Sequence, residues 1–220
     1  VIFDHLGEGM MSMLALARLG GRDVEADLFH ALTKIKMSDL DEEHQLEKLR
    51  VIEVAIARDG KPDAASQTIE ELEPLFPAKT FELNRELSQI ILALGAPDAV
   101  AKTVKLLDST PVQEEQIAYV LALRTITDGW TPELRKEYFT WWTKDHNKAE
   151  HPDYVVKWFT DAGINFNNGS SFARFVGNFH TDAVKTLKPD EVAALEPLLS
   201  AYTAPGTKPR QPAKKREFVK

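Results

Sequence analysis

Six histidines are the first places to look for chemistry in this chain: His5, His30, His44, His146, His151 and His180. His146 and His151 fall in KDHNKAEHPD beside Glu150 and Asp153. Together with Asp145 they form the one cluster whose residue types suit a hard or borderline metal ion. Their spacing argues against it. Ligands four apart share a helical face and these are five apart, while Pro152 interrupts any helix between them. A surface loop with incidental histidines is the plainer reading.

The carboxylates read similarly. Glu42-Glu43, Glu70-Glu71 and Glu114-Glu115 have the look of solvated faces, because acid–base hydrolysis needs two carboxyls opposed across a cleft. Asp39, Asp41, Glu42 and Glu43 crowd one segment but lack the glycine and ligand spacing of a calcium loop. Met10, Met11 and Met13, at helical spacing among Leu and Ala, read as core filler rather than as a soft metal site. No Gly-rich phosphate loop, Gly-x-Ser-x-Gly elbow or His-Glu-x-x-His motif occurs. The expectation is therefore a chain with no catalytic, cofactor or metal residue of its own. Large aromatics are the remaining candidates. Trp130, Trp141, Trp142 and Trp158 read first as core, and Trp142, Tyr154, Trp158 and Phe159 are the residues expected to form any partner surface.

Composition narrows the classes further. The 220 residues are 43% hydrophobic and 28% charged, which suits a folded globular chain rather than a disordered one. The absence of cysteine excludes disulfides, thiolate sites and a Cys-x-x-Cys-His haem attachment within the chain. No run of about 18 apolar residues marks a membrane span, and no basic start leads into an apolar stretch as in a signal peptide. The chain opens at Val1 rather than Met, which reads as a piece of something longer. Net charge is −7, divided into +5 over residues 205 to 220 and −12 over the rest. An acidic body is a poor nucleic-acid binder. The closing GTKPRQPAKKREFVK reads as a basic, Pro-rich linker.

The elements that would position these residues are helices. Leu83, Leu87, Ile90, Ile91 and Leu94 share one face, and Gly95 is placed to end that helix in a left-handed conformation. Pro97-Asp98 opens the next helix, with Val100, Val104 and Leu107 inward. Thr110-Pro111-Val112-Gln113 predicts a capped start for a helix burying Ile117, Val120, Leu121 and Leu123, and Thr131-Pro132-Glu133 predicts another that leads into Leu134, Tyr138, Trp141 and Trp142.

Upstream, residues 8 to 19 read as a buried helix. Asp23 reads as the cap of the following one, and Pro62 as the start of a helix reaching Leu75. Downstream, Ser170 or Ser171 is expected to cap a helix with Phe172, Phe175, Val176, Phe179 and Val184 inward. Roughly ten helices and no strand make this an all-α chain. Each helix has one apolar face and short connections, so each must stack on its neighbours. Ile91-Leu92-Ala93-Leu94 and Val120-Leu121-Ala122-Leu123 stand 29 residues apart, as in degenerate HEAT or armadillo repeats. The predicted architecture is an irregular HEAT/armadillo-like stack of antiparallel helix pairs, an α-solenoid, over residues 1–204, interrupted by an insertion at 145–168. An irregular bundle is the alternative.

The segments FPAKTFELNRELSQIILALGAPDAVAKTVKLLDSTPVQEEQIAYVLALR, GWTPELRKEYFTWW, SSFARFVGNFHTDAV and KREFVK resemble the helical, HEAT-like region of large secreted proteins of planctomycete-type bacteria. In that family the region follows a sugar-dehydrogenase-like β-propeller or another extracytoplasmic module and precedes a small c-type cytochrome domain that binds haem. The resemblance implies an extracytoplasmic, non-enzymatic spacer whose partners are the flanking domains of the same polypeptide or another protein, with the haem outside this chain. No family ligand or catalytic base maps onto any residue here, and 145–168 is longer than the family pattern.

Overall fold

The computed structural model describes residues 6–166 and 168–202, so His5 and the basic 205–220 linker lie outside the described residues. Eleven α-helices follow in order: α1 (Leu6–Leu19), α2 (Arg22–Thr33), α3 (Glu42–Asp59), α4 (Ala65–Leu72), α5 (Phe81–Leu94), α6 (Ala99–Ser109), α7 (Gln113–Leu123), α8 (Pro132–Thr140), α9 (Asp153–Asp161), α10 (Ser170–Val184) and α11 (Pro189–Ala201). Among the described residues there is no strand, only an isolated bridge between Val112 and Glu150. The all-helical expectation holds.

Helices α1, α3, α5 and α7 pack in succession, α6 lies against α7 and α8, α8 against α11, and α7 against α10. The apolar stripe of α5 explains its central place. Leu87, Ile90, Ile91 and Leu94 are almost fully enclosed, and each such side chain contributes about 1.5–3 kcal/mol of burial. One apolar cluster runs from Ala17 in α1 to Leu195 in α11.

Local signals decide most boundaries. Gly95 adopts φ 76° and ψ 40°; its amide and that of Ala96 donate to Leu92 and Ile91, ending α5 as its position predicts. Thr131 Oγ1 accepts from the Leu134 amide at 3.3 Å, with Pro132 in the first turn of α8.

Elsewhere the helix starts differ from expectation. Thr110 is not the cap of α7: the chain runs extended through Val112, where the Gln113 amide donates to the Glu150 carbonyl and the Glu150 amide to the Pro111 carbonyl, both at 2.9 Å. A partner distant in sequence has captured the backbone that a local cap would have used. Gly21, not Asp23, precedes α2; Gly169, not Ser170 or Ser171, precedes α10; and α4 begins at Ala65, three residues after Pro62. Helix α1 is buried only through Met10 and Ala17, with Met11, Leu16 and Leu19 outward, and Phe175 of α10 also faces solvent.

Candidate functional site

The segment 145–168 holds the sequence-predicted site residues, and α7 determines where it sits. After a 3-10 turn at Trp141–Thr143, Lys144 Nζ reaches Asp108 Oδ1 at 2.9 Å. Gln113, at the head of α7, donates from Nε2 to the His146 carbonyl at 2.9 Å. The Val112–Glu150 bridge follows, and His151 Nδ1 then lies 2.9 Å from Glu114 Oε1. The last three of these attachments fix the near half of the segment along the start of α7, while Lys144 ties the residue before it to α6. From that base the chain rises into α9, which has no buried residue.

The histidines occupy separate seats. The His146 ring packs on Trp141 with centroids 4.2 Å apart and edge-on to Phe172, and burial holds its imidazole below the usual histidine range, hence neutral at pH 7. The His151 side chain is 6% exposed and lies against Phe166, centroids 3.9 Å apart. Asp145 Oδ1 accepts from the Asn147 amide at 3.2 Å, capping the short turn His146–Lys148. The suggested cluster of His146, His151 and Asp145 is thus not assembled, and among the described residues no group of three His, Cys, Asp or Glu side chains is placed to hold a metal ion.

His151 and Glu114 have the carboxylate–imidazole pairing that orients a general base or metal ligand through the other ring nitrogen. Here Nε2 is buried with no hydrogen-bond partner, so the pair presents no nitrogen to a substrate. Its effect is to attach the segment. This also corrects the reading of Glu114 as a purely solvated carboxylate.

The four aromatics expected at a partner surface divide. Trp142 is 4% exposed, donates from Nε1 to the Val176 carbonyl at 3.1 Å and meets Tyr138 edge-on at 4.9 Å, so it belongs to the core. Phe159 is half-buried against Phe166 and Trp158. Tyr154 and Trp158 are 75% and 66% exposed, and their i, i+4 spacing puts them on one outward face of α9. The Lys157–Asp161 ion pair, at 2.8 Å, lies on the same exposed side of the helix.

Three charged constellations escaped the sequence reading because each joins residues remote in sequence. Lys48 of α3 is fully enclosed and pairs with Glu71 of α4. Arg135 of α8 reaches Glu191 Oε1 of α11 at 3.3 Å and Thr186 Oγ1 at 3.0 Å, its guanidinium 4.2 Å above the Trp130 ring. Glu53 of α3 faces Glu86 of α5; burial and then its hydrogen bond to the Glu86 carboxyl push its pKa up to about 8. Glu53 Oε1 is buried without a donor when both acids are ionised, and a proton held between the two carboxyls supplies one.

No family model, curated protein or solved structure matches this chain.

Proposed function

We infer that this chain is a non-catalytic helical scaffold, a HEAT-like α-solenoid serving as a rigid spacer in a larger extracytoplasmic protein that carries a c-type haem domain beyond Lys220. The observation that supports rigidity is the single apolar core continuous from α1 to α11, which couples the two ends of the described chain. The haem domain and the extracytoplasmic setting rest on the sequence resemblance. Three ionisable pairs tie elements together: Lys48 to Glu71 and Arg135 to Glu191 between helices, and His151 to Glu114 between the 145–168 segment and α7. Reading the parent gene on both sides tests the proposal. A Cys-x-x-Cys-His motif downstream of Lys220 and a signal peptide upstream are expected; a reading frame lacking the haem motif removes the spacer reading.

A second reading, recognition of a protein or polysaccharide, is favoured by one observation. Tyr154 and Trp158 project together from the outer face of α9, a helix with no fully buried residue, and make an exposed aromatic pair of the kind found at recognition surfaces. Pull-down on insoluble polysaccharides and on candidate protein partners, comparing the native chain with Tyr154→Ala/Trp158→Ala, decides it. Binding that the double variant loses while retaining its helical circular dichroism supports recognition by α9, and binding that it keeps excludes that surface.

A further inference from the structure

The opposite end of the chain carries a second surface, independent of α9. Between α1 and α3 lies a groove of about 540 Å³, with Met10, Met11 and Leu14 supplied by α1 and Glu42, Glu43 and Glu47 by α3. Its apolar side ends at Met11, which is 61% exposed. Methionines at such a surface adapt to the shape of what they meet. Among the described residues its lining carries three carboxylates, Glu42, Glu43 and Glu47, against one cation, Arg50, which is turned to Glu53 at 3.2 Å. Apolar floor and acidic rim together specify an occupant with an apolar stripe bordered by cations.

We propose that the α1–α3 groove is the docking site for a basic amphipathic helix of another protein. A helix suits the site because the groove is itself bounded by two helices, and a third laid between them presents side chains at i, i+3, i+4 and i+7 to the methionines and Leu14. The described residues offer no strand edge to which an extended peptide could add. A second copy of this chain meeting the same face across a two-fold axis would oppose Glu42, Glu43 and Glu47 to themselves, and like charges brought together resist that pairing. Lysine or arginine beside the stripe of a partner helix meets those carboxylates with the right sign.

The test is fluorescence anisotropy of the full chain against two synthetic helical peptides with the same Leu/Phe stripe, one flanked by Lys and one by Glu. The Lys peptide is expected to bind and the Glu peptide not, with the affinity falling about tenfold between low salt and high salt as exposed charge pairs are screened. The variant E42Q/E43Q/E47Q is expected to lose about tenfold in affinity, and Met11→Lys to lose binding, both with unchanged helical content. Equal binding of the two peptides, absence of binding, or affinity unchanged in Met11→Lys overturns the proposal. Light scattering that finds a dimer broken by Met11→Lys assigns the groove to a second copy and overturns it likewise.

Discussion

Lys48 Nζ lies 2.6 Å from Glu71 Oε1 and 2.7 Å from the Ile35 carbonyl, with no part of the lysine side chain open to solvent. The same carboxylate oxygen accepts from the Met37 amide at 3.1 Å. One oxygen thus ties together α3, α4 and the turn between α2 and α3.

The two partners are unequal, because Glu71 keeps a quarter of its side chain in water and Lys48 keeps none. Glu71→Gln strands a buried ammonium and is expected to cost about 3 kcal/mol or more. Lys48→Met removes the enclosed charge and leaves a carboxylate that water can reach, for about 1 kcal/mol. Urea denaturation of both variants checks the order; a Glu71→Gln protein as stable as Lys48→Met refutes the asymmetry.

The facing carboxyls of Glu53 and Glu86 predict a pH dependence. Glu53 titrates near its ordinary 4.5 when unfolded and about 8 when folded, so between those values the folded chain holds more protons. Its stabilising contribution is complete below the lower value and lost as pH rises through the upper. Glu53→Gln keeps a donor toward Glu86 without ionising. At pH 9 it is expected to exceed the native chain in stability by about 1–2 kcal/mol, less than the full linkage value because the side chain retains some solvent access. Thermal melts at pH 5 and pH 9 show this as a difference between the proteins that grows with pH, and a constant difference rules it out.

Arg135 combines a carboxylate, a hydroxyl and an aromatic face, which only a planar guanidinium satisfies at once. Arg135→Lys is expected to lose about 2 kcal/mol and to open α11 before the rest of the fold. Hydrogen exchange measured by helix checks the second part: uniform acceleration across α1 to α11 argues against a local clamp.

Trp158 is the most exposed of the four tryptophans, with Trp141 and Trp142 enclosed and Trp130 half-buried. Trp158→Phe is expected to remove most of the acrylamide-quenchable emission while changing stability by less than about 0.5 kcal/mol. Retention of the quenchable fraction contradicts the outward placement of α9.

What the sequence made legible was what neighbours in the chain decide. The left-handed glycine at 95 and the cap at Thr131 depend on residues within one turn and appear where their types place them. The start of α7 was misread because Glu150, far along the chain, takes the backbone hydrogen bonds that Thr110 was expected to organise. For Trp142 the sequence offered two places, the apolar stripe leading out of α8 and the partner surface, and long-range contacts decide for the first: Trp141 donates to Gln116 of α7, and Trp142 to the Val176 carbonyl of α10. Apolar periodicity marks a buried stripe and carries no signal for a lysine or arginine enclosed by a distant acid, so Lys48 and Arg135 were invisible to it.

The way α9 is mounted also bears on its history. Its supporting strut is secured by backbone hydrogen bonds at Glu150 and by His151, whereas Tyr154, Lys157 and Trp158 hold up nothing beneath them. Such a perch tolerates turnover of its outer residues, and a designer can treat Tyr154, Lys157 and Trp158 as exchangeable positions, keeping Phe159 on Phe166, while the helices below keep their places.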